Sequence, residues 1–390
     1  MRVLYDHQIF SMQNFGGISR YFYESIIRLR KNHNVEIDHS ILYSSNEYLI
    51  DRTIFPLEKP YTFQDWIPWI QFRGKYRIFR LMQVLGLLPD PKSRMNKEIL
   101  RKIERSDFDL FHPTYYSSYF LNTLRKIRKP FVLTVYDLIH EKFPSYFPDA
   151  EEVIRNKKIL IENATGIIAI SESTKSDLIQ FYNLPAVKIK VVYLGSSFAS
   201  DLKANKNSNL PKKDYLLFTG NRSYYKNFSY FLESIRTLFE EFPKLQLYCV
   251  GGGNFQKEEI ALIKELGLTG RVEQFHFESD EELSEYYKNA LLFVFPSRYE
   301  GFGIPLLEAF SCGAPVVCSN TSSFQEVAGD AAFYFDPDSK ESIYDSVREG
   351  IINPEKRKEK IQNGNRQISK FSWDKSAKET FEFYQSILKG

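Results

Sequence analysis

FPSRYEGFGIPLLEAFSCGAPVV, residues 295–317, reads as a strand end, a glycine-bearing loop, a helix and the start of the next strand. Pro296 closes the apolar run from Leu291 to Phe295. Pro305 falls where a helix begins, since its missing N–H and fixed φ suit the first turn. Gly313 suits the helix C-terminus. In this reading Glu300 lies on the loop and Glu308 in the first helical turn, so both carboxylates converge at the carboxyl edge of a sheet, where ligands of open α/β sheets sit.

The same alternation continues outward. Apolar runs at Val3 to Tyr5, Phe131 to Tyr136, Gly166 to Ile170 and Lys190 to Leu194 precede it, and a second series occupies Tyr215 to Thr219, Leu245 to Val250, Val272 to Phe277 and Pro315 to Cys318. Amphipathic helical stretches lie between them, which predicts an α/β chain with parallel sheets. The polar stretch DLKANKNSNLPKK breaks the pattern. It predicts a linker at 201–213 between a first domain, 1–200, and a second, 214–370. In FSWDKSAKETFEFYQSIL, Trp373, Ala377, Phe381 and Tyr384 fall at helical spacing. Residues 371–390 are therefore expected to form a helix with one apolar face packed on the first domain.

Composition narrows the function. The chain has 390 residues, 43% of them hydrophobic, enough for two cores with a cleft between them. A net charge of +3 speaks against nonspecific nucleic-acid binding. Three cysteines without a CxxC pair suit a reducing compartment, and six scattered histidines offer no ligand spacing, so neither metal nor cofactor is expected. MRVLYDHQIF lacks a signal pattern and no eighteen apolar residues run together, so a cytoplasmic protein, soluble or peripheral to the membrane, is expected. Asp107-Phe108-Asp109 leads straight into the strand-like LFHPTYY and reads as a strand entrance rather than a metal site. The acidic run Glu278 to Glu282 reads as a solvated loop and helix start.

The residues with chemistry fall at predicted strand ends. The backbone from Gly301 to Gly303 can approach a ligand closely, and the free N–H groups of the following helix attract phosphate. In LLFTGNRSYYKNFSYFLESI a strand gives way to Gly220, then Arg222 and Lys226. Such a pair can stabilise a departing diphosphate, arginine by its fork of donors and lysine as a point charge. Gly16-Gly17 opens an amphipathic helix, and its N–H groups are free for a diphosphate or an acceptor unless the pair only makes a tight turn.

Together, Gly16-Gly17, the Gly220 to Lys226 loop, the Gly251 triplet, the Glu300 to Glu308 motif and GAPVV resemble the retaining glycosyltransferases of family 4 over nearly the whole chain. That resemblance implies the GT-B fold, two facing Rossmann-like domains with a C-terminal helix returning to the first. It also implies transfer of a mannose- or glucose-type hexose from a GDP- or UDP-linked donor to a glycan or lipid-linked acceptor in polysaccharide or lipopolysaccharide assembly. Arg222 and Lys226 would then contact the diphosphate, Glu300 the sugar and Glu308 the ribose. Phe277 and its neighbours would border the base, and Gly16, Gly17, Gly220, Gly301, Phe302, Gly303 and Ile304 would complete the donor site.

Two departures stand out. Asn221 directly follows the glycine where relatives place arginine, and Tyr136 precedes Asp137 where many show histidine. Either Asp137 or His140 is expected to act near the sugar, and a histidine simply bonded to backbone is the bland reading of His140. An epimerase or phosphorylase of similar fold, or a non-catalytic nucleotide-sugar binder, are the rival readings. Finally, residues 71–105 carry ten Lys or Arg against three Asp or Glu, beside Trp66, Trp69, Phe72, Tyr76 and Phe79. That pattern predicts peripheral contact with an anionic membrane.

Overall fold

The computed structural model describes residues 1–49, 53–59, 63–70, 72–88, 90–196, 198 and 215–389. The linker expected at 201–213 lies outside the described residues, as do Tyr61 and Gln71 within the basic, aromatic stretch. Twelve described strands fall into two groups. The first comprises β1 (Arg2–Tyr5), β2 (Glu36–His39), β3 (Leu110–His112), β4 (Val132–Val135), β5 (Gly166–Ala169) and β6 (Ile189–Val191). The second comprises β7 (Tyr215–Thr219), β8 (Gln246–Val250), β9 (Val272–Phe275), β10 (Leu292–Phe295), β11 (Val316–Ser319) and β12 (Ala332–Phe335).

Every described strand pairing is parallel. The first group forms two three-stranded leaves, β2-β1-β3 and β4-β5-β6, which meet at a parallel bridge between Phe111 and Phe131. The second forms one sheet in the order β12-β11-β10-β7-β8-β9. Parallel sheets bury both faces, and β7 shows how: Tyr215 and Leu217 enter the core shared with the N-terminal half, while Leu216 and Phe218 enter a second core on the far side. Two strands were not expected from the sequence: β2 is the edge segment EIDH, whose charged side chains blunt its unpaired rim, and β12 is the short apolar run AFYF at the other sheet's edge.

Strand order reverses beside β1 in the first group and between β7 and β10 in the second. At such reversals the following loops diverge to opposite faces and leave a crevice at the carboxyl edge. The loops after β1, β7 and β10 are those carrying Gly16-Gly17, Gly220 to Lys226 and Glu300 to Gly303.

The last helix, Trp373–Lys389, packs along the helix Gly17–His33 of the N-terminal half. Its buried line is Trp373, Ser376, Ala377, Thr380 and Tyr384, with Phe381 stacked on His33 at 4.7 Å. The Tyr384 hydroxyl meets the Tyr5 hydroxyl at 3.0 Å and also the Nδ1 of His112, whose Nε2 reaches Thr134 Oγ1 at 2.9 Å. A polar knot in a dry core is costly unless every member is paired, so it fixes the register of this helix.

Burial pushes the His112 pKa down to about 3. The unfolded imidazole titrates near 6.5, so between these values the unfolded chain binds more protons and stability falls as pH drops. Urea unfolding from pH 7 to pH 4 is expected to show this loss. In His112→Asn the acid-side slope should be shallower by about one proton, or about 1.4 kcal/mol per pH unit.

Candidate active site

The loop after β10 is clamped from several directions. The Glu300 N–H donates to Ser322 Oγ at 3.1 Å, and the buried Ser323 hydroxyl reaches the carbonyls of Glu300 at 3.0 Å and Phe302 at 2.8 Å. From the N-terminal half, Thr174 Oγ1 reaches the Gly301 carbonyl at 3.3 Å. The two halves touch closely at Gly301: a Cβ there would lie 1.8 Å from the Tyr136 carbonyl oxygen and 3.1 Å from the Asp137 Cβ. Only glycine allows this approach. Across the cleft, a Cβ on Gly17 would meet Ile304 Cδ1 at 3.4 Å, so the starts of helices Gly17–His33 and Ile304–Ser311 face the same space. Gly16 precedes the first of these and Gly303 caps the second.

Within that space Lys226 Nζ lies 2.6 Å from Glu300 Oε1, with the rings of Tyr225 and Phe295 beside the ammonium. Burial alone would lower the lysine pKa, but Glu300 and Tyr225 outweigh it and the net shift is upward. Lys226 is therefore a held cation at the reversal of strand order. Glu308 receives a hydrogen bond from the Tyr287 hydroxyl at 3.1 Å. It is the fifth residue of its helix, just past the first turn expected from sequence, because the helix opens at Ile304 with Pro305 next.

Arg222 occupies a different place from the one its sequence position implies. Its guanidinium is buried, pairs with Glu259 at 2.9 Å, and donates to the carbonyls of Gly251 at 3.1 Å, Gly253 at 2.9 Å and Asn254 at 3.2 Å. These bonds pin the Gly251 to Gly253 turn against Gly220: a Cβ on Gly252, at φ +71°, would sit 2.1 Å from the Gly220 carbonyl oxygen. Arg222 thus shapes the loop, and Lys226 is the cation that faces Glu300. Phe277 borders Gly251, whose Cβ would fall 3.1 Å from the ring. Phe302 turns its buried ring toward Tyr193 and Phe371, leaving only its backbone on the cleft side.

Asp137 and His140 follow β4. An Asp137 carboxylate oxygen accepts the Ile139 N–H at 3.1 Å. The His140 ring lies tilted against Phe147 with centroids 4.4 Å apart, and its buried Nδ1 has no hydrogen-bond partner among the described residues. Burial, and then the nearby Lys157, lower its pKa against the opposing pull of Asp137, Glu141 and Asp149, which favours the neutral ring. A structural histidine bonded to backbone would not leave this nitrogen open.

Several residues here escape a reading of the sequence. The Tyr299 hydroxyl donates to Asp177 at 2.7 Å and accepts the Leu138 N–H at 3.2 Å, which ties the halves together beside Glu300. Lys157 is fully buried, donating to the Asp137 carbonyl at 3.1 Å and to Glu141 at 2.9 Å. Glu326 accepts the N–H groups of Glu172 and Ser173. The acidic run at 278–282 is not wholly solvated either, since Asp280 pairs with Arg20 across the cleft at 2.9 Å. Asp107 and Asp109 are both bound to Arg2 at the opposite edge of the sheet.

Two facing groups of parallel strands, with a cation and a carboxylate at one strand-order reversal, are the architecture of the GT-B fold. Two family models match side by side, Glycosyltransferase Family 4 over residues 15–196 and Glycosyl transferases group 1 over residues 200–367. The chain belongs to these glycosyltransferases. It is 29% identical over 267 residues to O-antigen chain mannosyltransferase B of Escherichia coli, covering 66% of this chain and 70% of that protein. With O-antigen chain mannosyltransferase RfbU of Salmonella typhimurium it shares 27% identity, covering 60% of this chain and 65% of that protein. Among solved structures it is similar in fold to Anabaena HepE in complex with UDP and glucose, with a TM-score of 0.71, 17% identity, and 99% and 100% of the two chains covered. WaaG, a glycosyltransferase involved in lipopolysaccharide biosynthesis, gives a TM-score of 0.67 at 15% identity, covering 98% and 99%.

Gly301→Ala should force the halves apart and lower transfer by at least about tenfold, roughly 1.4 kcal/mol, in a steady-state assay. Arg222→Ala breaks a buried ion pair and should destabilise the fold by about 3 to 5 kcal/mol in urea unfolding. Full stability with lost turnover would instead place Arg222 directly on the donor.

Proposed function

We propose that this enzyme transfers a hexose, with retention of anomeric configuration and without a metal, from a nucleoside diphosphate sugar to a glycan or lipid-linked glycan in surface polysaccharide assembly. The observation that carries this reading is the Lys226–Glu300 pair at 2.6 Å, placed between the starts of two helices. When the donor binds, Lys226 turns to the diphosphate and Glu300 accepts a sugar hydroxyl. Negative charge that grows on the departing diphosphate then meets a fixed ammonium and oriented N–H groups, which need no reorganisation at the moment of reaction.

Glu308 is assigned to the ribose, Phe277 to the edge of the base, and Gly220 with Gly301 to Ile304 to the backbone cradle. Asp137 and the neutral His140 stand on the acceptor side of the sugar, and Arg222 positions the glycine turn. Residues 1–200 are proposed as the acceptor-binding domain and 214–370 as the donor-binding domain, with 371–390 securing the first. For the acceptor, a cavity of about 470 Å³ opens at the strand reversal beside β1, lined by His7, Asn96, Tyr115 and Asn156 among others. Its size and mixed polar and aromatic walls suit a sugar ring.

Mannose is favoured because both enterobacterial relatives are named mannosyltransferases. The UDP and glucose bound to HepE keep a UDP-linked donor in the screen beside a GDP-linked one. A cytoplasmic location at the inner face of the cell membrane belongs to the same proposal, its membrane contact supported by the basic, aromatic segment.

Incubation with GDP-mannose, UDP-glucose and their analogues should identify a donor whose transfer or hydrolysis persists in EDTA, and NMR of the product should show an unchanged anomeric configuration. Lys226→Ala should cut kcat by about 10² to 10³, some 2.7 to 4 kcal/mol, with a smaller effect on donor affinity. A requirement for added magnesium, or unaltered turnover in the variant, would overturn the mechanism.

A further inference from the structure

Lys226 closes a 3₁₀ turn, Tyr224–Lys226, that belongs to the C-terminal half yet is gripped from both halves. On its own side, the Arg298 N–H donates to the Tyr225 carbonyl at 2.8 Å. From the N-terminal half, Tyr146 ends the 3₁₀ turn Pro144–Tyr146 and stacks on Tyr224, with ring centroids 5.2 Å apart and planes 20° from parallel. Phe143 stacks on Tyr146 in turn at 5.7 Å. Phe147 follows, its centroid 6.3 Å from the rings of both Tyr224 and Tyr225.

Two features separate this contact from incidental packing. Tyr224 has a φ of +54°, a left-handed conformation that is a genuine outlier for a bulky residue. The residue is 59% exposed, so burial in its own half does not hold it there, and the rings it meets, Tyr146 and Phe147, both belong to the N-terminal half. Strain of this kind persists where the surroundings over-determine it, and it collects at functional sites. The second feature is continuity. Phe147 lies 4.4 Å from the His140 ring, and the Lys226 ammonium lies 5.1 Å from the Tyr225 centroid. A run of rings therefore joins His140, after β4, to the cation after β7.

We propose that Tyr146, acting through Tyr224, is a positioning residue for Lys226, so that the N-terminal half sets the place of a cation carried by the C-terminal half. This rests on the assignment of Lys226 to the diphosphate made above, and it explains how the ammonium keeps its place when Glu300 turns to the sugar. The ion pair with Glu300 loosens at that moment, but a backbone turn gripped by rings does not follow the side chain. Stacked rings also do not compete for the arriving diphosphate as a polar link would, so the grip outlasts donor binding.

Hydrogen exchange in the full chain without donor reads the turn directly, because the Lys226 N–H donates to the Ser223 carbonyl at 3.1 Å and the Asn227 N–H to the Tyr224 carbonyl at 3.0 Å. In Tyr146→Ala these two amides of the opposite half should exchange about two- to tenfold faster, the weight of one aromatic pair, and Tyr146→Phe should restore the parent rates. If Tyr146→Ala does not fold, Tyr146→Leu serves, since it keeps apolar bulk without the stack. Steady-state kinetics should show kcat lowered by about tenfold in Tyr146→Ala and in Tyr224→Gly, with affinity for the nucleoside diphosphate the parent binds, UDP or GDP, changed by less than about twofold. Tyr224→Gly keeps the positive φ without strain, so its loss is that of the ring. Combining the two substitutions should cost no more than either alone. Parent exchange rates in Tyr146→Ala, additive losses in the double variant, or parent turnover in Tyr224→Gly would overturn the proposal. Exchange is measured without donor, so a failure of this positioning is read separately from a failure of sugar transfer.

Discussion

The backbone of Gly301 lies against the carbonyl of Tyr136 with no room for a single carbon between them. Much of the active-site geometry follows from that contact. It brings the loop after β10 onto the end of β4, so Glu300 and Asp137 share one space although each is anchored in a different sheet. Thr174, Tyr299 and Glu326 reinforce it with bonds across the halves, and Arg20 with Asp280 does the same at the rim. These polar links sit beside an apolar core that both halves share, in which Tyr193 packs on Phe302 and Phe198 on Tyr287.

Charge inside the cleft is balanced before any donor arrives. Lys226 is held by Glu300, Arg222 by Glu259 and three carbonyls, and Lys157 by Glu141. An uncompensated ammonium or guanidinium in so buried a place would be strongly disfavoured. Of these cations, Lys226 is the one whose partner is proposed to bind substrate, so its pairing can change when an anion enters. Arg222 has its donors committed to the fold, and its contribution to the site passes through the shape of the glycine turn.

Two surfaces of the N-terminal half differ in chemical character. At the carboxyl edge of its sheet, a cavity with polar and aromatic walls opens beside the cleft. On the segment around the helix Lys75–Val84, apolar side chains stand in water next to a cationic groove.

The sequence by itself determined the architecture and which polar residues stand at the carboxyl ends of the strands. Apolar runs of strand length, each followed by an amphipathic helix, leave few arrangements other than parallel sheets, and parallel sheets place Gly220, Lys226, Glu300 and Gly303 at one edge. Those are local properties, written in periodicity and in glycine and proline positions. The partners of each side chain were decided only by the tertiary structure. Arg222 and Glu259 are separated by two helices, a strand and a turn, Gly301 and Tyr136 belong to different halves, and Tyr384 closes on Tyr5 from the far end of the chain. No spacing along the chain encodes such encounters. They arise because buried charges and hydroxyls must find partners wherever packing brings them, and packing is settled by the whole fold.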